Sequence, residues 1–160
     1  MVERRDSVNI RLAAQEDFDQ LIRMRWDFTN EYKEIPISED QYDDFYLECK
    51  SFLAEAIESN RWFIWVAEEN GQILSHVYLE IINKVPRPGR KTNPFTYMTN
   101  VYTLPAHRGK GIGGQILRRI EVWSKQKEYE FIIVWPSDWS VEFYERNGYK
   151  PCKEAMELIF

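Results

Sequence analysis

The chain of 160 residues has a formal net charge of −5 and is 44% hydrophobic and 15% aromatic. This length suits one domain with a sizeable core, and the composition is that of a packed globule. The acidic balance gives no support to binding of nucleic acid or of an anionic membrane. No apolar run reaches membrane-spanning length, and the N-terminus lacks an apolar signal-peptide core. We therefore expect one cytoplasmic domain over 1–160 that contacts neither nucleic acid nor membrane.

Cysteine and histidine are too few to build a disulfide scaffold or a metal site. Cys49 and Cys152 are far apart in the sequence, so free thiols are expected. His76 and His107 are the two histidines of the chain, which is too few for a zinc cluster. No metal is expected.

The first 60 residues predict one strand and two helices. Residues 8–12 alternate as a short strand, and residues 14–32 repeat apolar side chains at helical spacing. A second helix is expected to begin at Ser38, where Ser38 and Gln41 have the spacing of a capping box. The chain therefore starts with a β-α-α order.

Two further strands, 62–67 and 72–82, are joined by Glu-Glu-Asn-Gly, which is typical of a hairpin turn. Residues 84–94 are rich in proline, glycine and cations, as an exposed loop would be. The remaining predicted elements are a strand at 96–103, a helix at 112–127, a strand at 130–135, a helix at 139–147 and two closing strand stretches. The pattern is that of a mixed α/β domain.

The most informative segment is the glycine-rich run that joins the strand at 96–103 to the next helix. Its glycines, at positions 109, 111, 113 and 114, let the backbone take positive φ and approach a ligand closely. The helix that follows adds unpaired N–H groups and the positive end of its dipole. Arg108 and Lys110 add two cations. We interpret the segment as a cradle for the polyphosphate of a nucleotide-type cofactor.

Two common glycine loops fit this segment poorly. Gly109 and Gly114 have the P-loop spacing, but Gln115 stands where the loop needs its lysine. The dinucleotide fingerprint matches at Gly109, Gly111 and Gly114, yet residues 105–107 separate the strand from the first glycine. A nucleotide-dependent oxidoreductase therefore stays an alternative with weak support.

The third spacing is Arg-x-x-Gly-x-Gly, formed by Arg108, Gly111 and Gly113. With the preceding Asn-Val-Tyr, this segment resembles the signature of the acetyl-coenzyme A-dependent N-acetyltransferases, the GNAT superfamily. A second segment, 137–149, resembles the family's later motif, in which a short helix carries a tyrosine and ends at Gly-Tyr. The two motifs lie in the family's order in the C-terminal part of the chain.

The resemblance implies a mixed, mostly antiparallel central sheet with helices on both faces. The fourth and fifth strands would splay apart, and the pantetheine arm of acetyl-coenzyme A would enter the gap like another strand. Coenzyme A would be the product. Ser137 departs from the asparagine that many relatives have at its position. The implied cofactor-binding residues are Val101, Tyr102, Thr103, Arg108, Gly109, Lys110, Gly111, Ile112, Gly113, Gly114 and Ser137.

Attack of an amine on a thioester needs a donor for the oxyanion and a proton for the thiolate. A backbone N–H at Val101 or Tyr102 is the candidate oxyanion donor. Tyr144 matches the family's tyrosine and is the predicted general acid. Its alternative role is that of a core tyrosine with a satisfied hydroxyl.

A general base is harder to assign. The stretch 97–100 carries no carboxylate, although many relatives have one on this strand. Glu80 could act through a water molecule, or it could be a solvent-facing strand residue. His76 has a suitable intrinsic pKa but is more typical of a half-buried strand histidine.

The acceptor is expected to be a primary amine of a small molecule or peptide. Aromatic side chains alternate with carboxylates between Trp26 and Tyr32, and this mixture suits a cation. A solvated helix face explains the same pattern. A catalytically silent acyl-coenzyme A-binding sensor or partner domain remains an alternative, and a homodimer is left open.

Overall fold

The computed structural model describes residues 8–160, which form one five-stranded sheet with the strand order β1-β2-β3-β4-β5. The first four strands pair with their neighbours in antiparallel fashion, and β5 joins β4 in parallel. The predicted mixed, mostly antiparallel sheet is therefore confirmed. The strands are β1 (Asn9–Leu12), β2 (Trp62–Glu69), β3 (Gln72–Ile82), β4 (Phe95–Thr103) and β5 (Ile132–Val134).

Helices cover both faces of this sheet, as predicted. One face carries α1 (Phe18–Glu31) and α2 (Tyr42–Glu58), whose apolar side chains pack on β2 and β3. The other face carries α3 (Ile112–Gln126) and α4 (Val141–Arg146). No helix among residues 8–160 is long and apolar enough to cross a membrane. The core thus has two halves, with the sheet between them.

The two N-terminal helices begin differently from the sequence-based expectation. Residues Gln15–Asp17 form a 3₁₀ turn before α1, and the Asp17 carboxylate accepts the Ala14 N–H at 2.8 Å. The capping box predicted at Ser38 and Gln41 is wrong, because no side chain caps this turn. The Gln41 N–H instead bonds the backbone carbonyl of Ser38 at 3.0 Å, which closes a 3₁₀ turn.

The hairpin between β2 and β3 forms where the sequence indicates. Asn70 and Gly71 have φ angles of 52° and 80°. A type I′ turn needs positive φ at both central residues, and asparagine followed by glycine adopts this conformation at low cost. The turn fixes β3 beside β2.

The two closing strands predicted after α4 are wrong. Residues 150–160 form no regular secondary structure, and Met156, Leu158 and Phe160 are exposed. An extended segment becomes a stable strand only when its backbone groups pair with a neighbour. Within residues 8–160, β5 pairs with β4 alone, so the outer edge of β5 is open and residues 150–160 do not pair with it.

Candidate functional site

The strands β4 and β5 separate after three paired positions. Their pairing runs from Thr96 opposite Ile132 to Met98 opposite Val134 and stops there. Residues 99–103 of β4 therefore present an edge that pairs with no strand among residues 8–160, as predicted. A cleft of about 840 Å³ opens at this point, a size typical of small-molecule sites.

A β-bulge lies at the start of this open edge. In the pairing of β3 with β4, Thr99 faces Tyr78 and Tyr102 faces His76, so Asn100 and Val101 share one opposing residue. Asn100 has φ of 49°, in the left-handed region that asparagine tolerates better than most residues. A bulge of this kind turns backbone groups out of the ladder, and Asn100 and Val101 both line the cleft.

Two side chains hold the bulge from the α1 and α2 face of the sheet. The His76 Nδ1 lies 2.8 Å from the carbonyl oxygen of Asn100, and Arg25 Nη1 donates to Asn100 Oδ1 at 3.2 Å. His76 is fully buried, and burial lowers its pKa to about 4. The ring is therefore neutral at pH 7, and because a carbonyl only accepts, Nδ1 carries the proton. The sequence predicted a half-buried histidine, so this burial is deeper than expected.

The turn after β4 leads directly into the N-terminus of α3. Gly109 and Gly111 have φ of 73° and 80°, as predicted, whereas Gly113 and Gly114 lie inside the helix with ordinary helical backbone. The prediction of positive φ at the latter two is therefore wrong. The N–H of Gln115 makes a bond to the carbonyl of Gly111 at 3.1 Å, so the N–H groups before it have no partner within the helix. No acidic residue lies in this first turn.

Gly113 and Gly114 serve close packing of α3 against α4. A Cβ at Gly113 would lie 3.1 Å from the Phe143 ring, and one at Gly114 would lie 3.3 Å from Asn147 Oδ1. Both contacts are tighter than ordinary van der Waals packing. The close approach that the glycines predict is present, but its partner is another helix.

Arg108 is tied to α1 rather than free in the cleft. Its Nη1 and Nη2 contact the Glu31 carboxylate at 2.5 and 2.9 Å, and its Nε donates to the Thr103 carbonyl at 2.9 Å. The Tyr102 hydroxyl also donates to Glu31, at 3.0 Å. The guanidinium of Arg108 lowers the pKa of Glu31. The positive charge of Arg108 is thus largely compensated by Glu31.

Tyr144 lies on α4, and its side chain lines the cleft although the residue is only 6% exposed. The rings of Phe143 and Tyr149 pack on it with centroids 5.1 and 5.5 Å away. Burial raises the pKa of Tyr144 to about 12, so the hydroxyl keeps its proton at neutral pH. A protonated phenol at the wall of a cleft is suited to donate a proton.

Comparison with known proteins agrees with this architecture. The model of the Acetyltransferase (GNAT) family matches residues 19–149. The chain belongs to this family. This family consists of acetyltransferases that use acetyl-coenzyme A.

Solved GNAT structures share the fold over nearly the whole chain. A structure described as a predicted acetyltransferase with acetyl-CoA from Clostridium acetobutylicum is 27% identical, covers 95% of this chain and 96% of its own, and has a TM-score of 0.77. A GCN5-related N-acetyltransferase from Ralstonia eutropha is 23% identical, with coverage of 96% and 99% and a TM-score of 0.75.

One curated GNAT relative matches over a short stretch. The aminoglycoside N(6')-acetyltransferase type 1 of Acinetobacter haemolyticus is 42% identical over 38 residues, which is 24% of this chain. The chain spans about a quarter (26%) of the length of that relative.

Most residues that the sequence assigned to the site line the GNAT cleft, but two do not. Lys110 lies on the exposed turn outside the lining, and Glu80 forms an ion pair with Arg61 Nη2 at 2.5 Å on the α2 side of the sheet. The roles of these two residues, and of those that line the cleft, stay predictions. Those that line the cleft are Val101, Tyr102, Thr103, Arg108, Gly109, Gly111, Ile112, Gly113, Gly114, Ser137 and Tyr144.

Sequence reasoning did not assign Arg25, Asn100 or Trp139 to the site, although all three line the cleft. The sequence gives a weak indication of Arg25 and of Asn100, because an arginine on the apolar face of a helix and an asparagine inside a strand are both unusual. Tyr32 and Trp139 stack across the cleft with centroids 4.8 Å apart. These two come from α1 and from the loop before α4, so their contact could not be read from local sequence.

Proposed function

We propose that this GNAT protein transfers an acetyl group from acetyl-coenzyme A to a primary amine of a small molecule or peptide by direct attack. One observation carries the proposal: the unpaired edge of β4, the N-terminus of α3 and the Tyr144 side chain all border the same cleft. Location in the cytoplasm belongs to the same proposal. Acetyl-coenzyme A supplies a thioester, whose carbonyl carbon is the electrophile.

The cleft offers two kinds of backbone contact to this cofactor. The free N–H groups at the start of α3, together with the positive φ of Gly109 and Gly111, suit the pyrophosphate. The open edge at 101–103 suits the amide groups of the pantetheine arm. Lys110 and Ser137 are side chains that add to this site, and Arg108 contributes mainly by holding the turn against α1.

The β4 bulge is the proposed oxyanion site. Val101 and Tyr102 follow Asn100, where the ladder to β3 is interrupted, so an N–H there is directed towards the gap rather than into the sheet. His76 and Arg25 hold Asn100 in place. A donor that is fixed before the reaction stabilises developing charge without a cost of reorganisation.

Tyr144 is the proposed general acid. Its hydroxyl gives a proton to the thiolate that leaves, and the raised pKa ensures that the proton is present over the working range of the enzyme. The close packing of Phe143 against Gly113 holds α4 on the first turn of α3, which supports a fixed place for this hydroxyl relative to the cofactor.

The proton of the amine needs an acceptor, and Glu80 acting through a water molecule is our proposal. Glu80 faces Tyr97 across the strand pair, and Tyr97 lines the cleft. The Glu80 side chain is also largely buried, with 16% exposed. Its ion pair with Arg61 competes with this role. If Glu80 is the base, Glu80→Gln shifts the pH profile of kcat/KM; if the amine loses its proton to bulk water, wild type and variant share one profile.

The deciding experiment combines binding and turnover. We expect acetyl-coenzyme A and coenzyme A to raise the melting temperature and NAD to leave it unchanged. We then expect release of free thiol when amines are added to enzyme and acetyl-coenzyme A. A protein that binds acetyl-coenzyme A but releases no thiol with any amine would instead be the silent sensor. The curated relative places aminoglycosides among the amines to be tested.

A further inference from the structure

Arg25 is a half-buried cation in the cleft with no carboxylate beside it. Its guanidinium donates to the Asn100 side chain at 3.2 Å and lies over the Phe28 ring at 5.5 Å. No ion pair formed among residues 8–160 includes it. Arg108, in the same cleft, has a bidentate carboxylate partner in Glu31. The charge of Arg25 is therefore available to a ligand.

Arg25 lies away from the turn that contains Gly109 and Gly111. Its partner Asn100 is three residues before Thr103, whose carbonyl accepts from Arg108. A regular strand rises about 3.3 Å per residue and the bulge shortens this stretch, so the two arginines contact β4 at points at most about 10 Å apart. Arg25 thus faces the end of the cleft where the bulge lies, which is where we place the reacting carbonyl.

Carboxylates are absent from the lining of the cleft among the described residues. The titratable side chains that line it are Arg25, His107, Arg108, Arg146 and tyrosines. The nearest acidic residues of α1 are occupied, because Asp27 pairs with Arg23 at 3.0 Å and Glu31 pairs with Arg108. The carboxylates that made this stretch suit a cation in the sequence thus already have partners.

This charge balance discriminates between classes of amine. A polycation, such as an aminoglycoside, would meet one uncompensated arginine and no counter-charge in the described lining. An amine that carries its own carboxylate would instead form a charge-assisted pair with the guanidinium, whose planar fork fits a carboxylate in bidentate fashion.

The walls at this end are aromatic. Trp135 meets the Tyr97 ring edge to face at 4.8 Å, next to the position where β4 and β5 separate. Trp135 is 64% exposed, so part of its ring is available to a ligand. Aromatic faces favour an apolar or aromatic body on the acceptor.

We propose that the acceptor is an α-amino acid with an apolar or aromatic side chain, held through its carboxylate by Arg25. This inference rests on the proposed N-acetyl transfer and names the substrate class for it. Arg25 fixes the carboxylate, and the α-amine is thereby directed towards the bulge. Discrimination then comes from Arg25, which pairs with one class of amine and repels the other.

The test uses amines in matched pairs that differ by one carboxylate: free tyrosine against tyramine, and free phenylalanine against phenethylamine. We expect kcat/KM to favour the amino acid of each pair by about tenfold or more, as one charge-assisted hydrogen-bonded pair would produce. In Arg25→Gln, we expect this preference to disappear, mainly through a higher KM for the amino acid. Arg87→Gln is the matched control, since it makes the same change in the loop 84–94, outside the cleft lining.

The outcomes distinguish a failure of the amino-acid assignment from a failure of the proposed N-acetyl transfer. Equal turnover of tyrosine and tyramine, or an unchanged preference in Arg25→Gln, overturns the amino-acid assignment and leaves N-acetyl transfer standing. Absence of turnover with every amine, alongside binding of acetyl-coenzyme A, overturns both. If Arg25→Gln does not fold, Arg25→Lys is the second variant, because it keeps the positive charge but loses the planar guanidinium that pairs with a carboxylate in bidentate fashion. A preference for the amino acid as strong as that of wild type in this variant would also count against the proposal.

Discussion

The two ends of the cleft are built in different ways. The proposed cofactor end is made of backbone: a free strand edge, a turn with two glycines at positive φ, and a helix N-terminus. The proposed acceptor end is made of side chains, with Arg25 of α1 and Asn100 of β4 at its centre.

This difference indicates that the residues of the acceptor end can change without loss of cofactor binding. A backbone cradle tolerates many side chains but depends on glycine where φ is positive. A wall of side chains can be replaced residue by residue, because each member contributes separately to the contacts with the acceptor. We therefore expect one cofactor within the family and different acceptors.

The largest effect is expected at Gly111, which has φ of 80° and where an added Cβ would meet no atom within 4 Å. Gly111→Val should abolish binding of coenzyme A, since a branched side chain disfavours positive φ and projects beside the pyrophosphate site. Titration calorimetry measures this. Gly89→Val is the matched control, because Gly89 has φ of 78° and equally open space but lies in the loop 84–94. Equal loss of binding in both variants would attribute the effect to general strain.

The second effect concerns the general acid. We expect Tyr144→Phe to lower kcat by about 10²-fold while coenzyme A still binds, because the ring keeps its packing. Tyr149→Phe is the control, since Tyr149 packs on Tyr144 at 5.5 Å and does not line the cleft. Unchanged kcat in Tyr144→Phe would contradict the role unless the single-turnover rate falls, which would show that product release limits wild type.

The raised pKa of Tyr144 also leads to a prediction for the pH dependence of kcat at alkaline pH. An ordinary tyrosine has a pKa of about 10, and burial raises that of Tyr144 to about 12. The acid is active in its protonated form, so the rise of its pKa extends activity to higher pH. We expect no loss of kcat from this group near pH 10. A decline there that is absent from Tyr144→Phe would show that its pKa is not raised.

A third effect, of intermediate size, is expected in the free energy of unfolding. It arises from His76, which holds the bulge of β4. The pKa of His76 is about 4 in the folded protein against about 6.5 when unfolded. The unfolded chain therefore takes up the proton first, so the free energy of unfolding is highest above pH 6.5 and declines as the pH falls towards 4. Urea unfolding should show this decline. We expect it to be weaker in His76→Gln, and an identical slope would contradict the assignment.

The smallest effect is expected at Arg108. Because Glu31 already compensates its charge, Arg108→Ala should weaken binding of coenzyme A by less than about tenfold, well below Gly111→Val. Glu31→Gln sharpens this point: unchanged affinity means that the pair only braces α1 against the turn, and tighter binding means that Glu31 holds the guanidinium away from the phosphates. Isothermal titration of both variants measures the difference.

The cofactor end could be predicted from sequence because its determinants are local. Gly109, Gly111 and the helix that follows lie within a few residues of one another, and their chemistry depends on backbone geometry that glycine reports directly. The order of strands and helices followed from apolar periodicity. Gly113 shows the limit of this reasoning, since its partner Phe143 is 30 positions away in the sequence and the glycine pattern alone does not reveal it.

The acceptor end could not be predicted because its contacts join distant segments. Arg25 meets Asn100 across 75 positions, and Tyr32 meets Trp139 across a still longer span. The engagement of Glu31 by Arg108 is equally non-local, so the sequence pattern suggested free carboxylates where the fold has ion pairs. The missing closing strands have the same origin, because strand formation depends on a partner that the local alternation does not provide.

The stack of Tyr32 on Trp139 also bears on the kinetics of ligand exchange. Both side chains are largely exposed, at 47% and 67%, and exposed side chains change rotamer within picoseconds to nanoseconds. Enzymes of ordinary speed turn over about 1–10³ times per second, so the stack separates and re-forms very many times in one catalytic cycle. Opening of the stack is therefore too fast to limit the rate of catalysis.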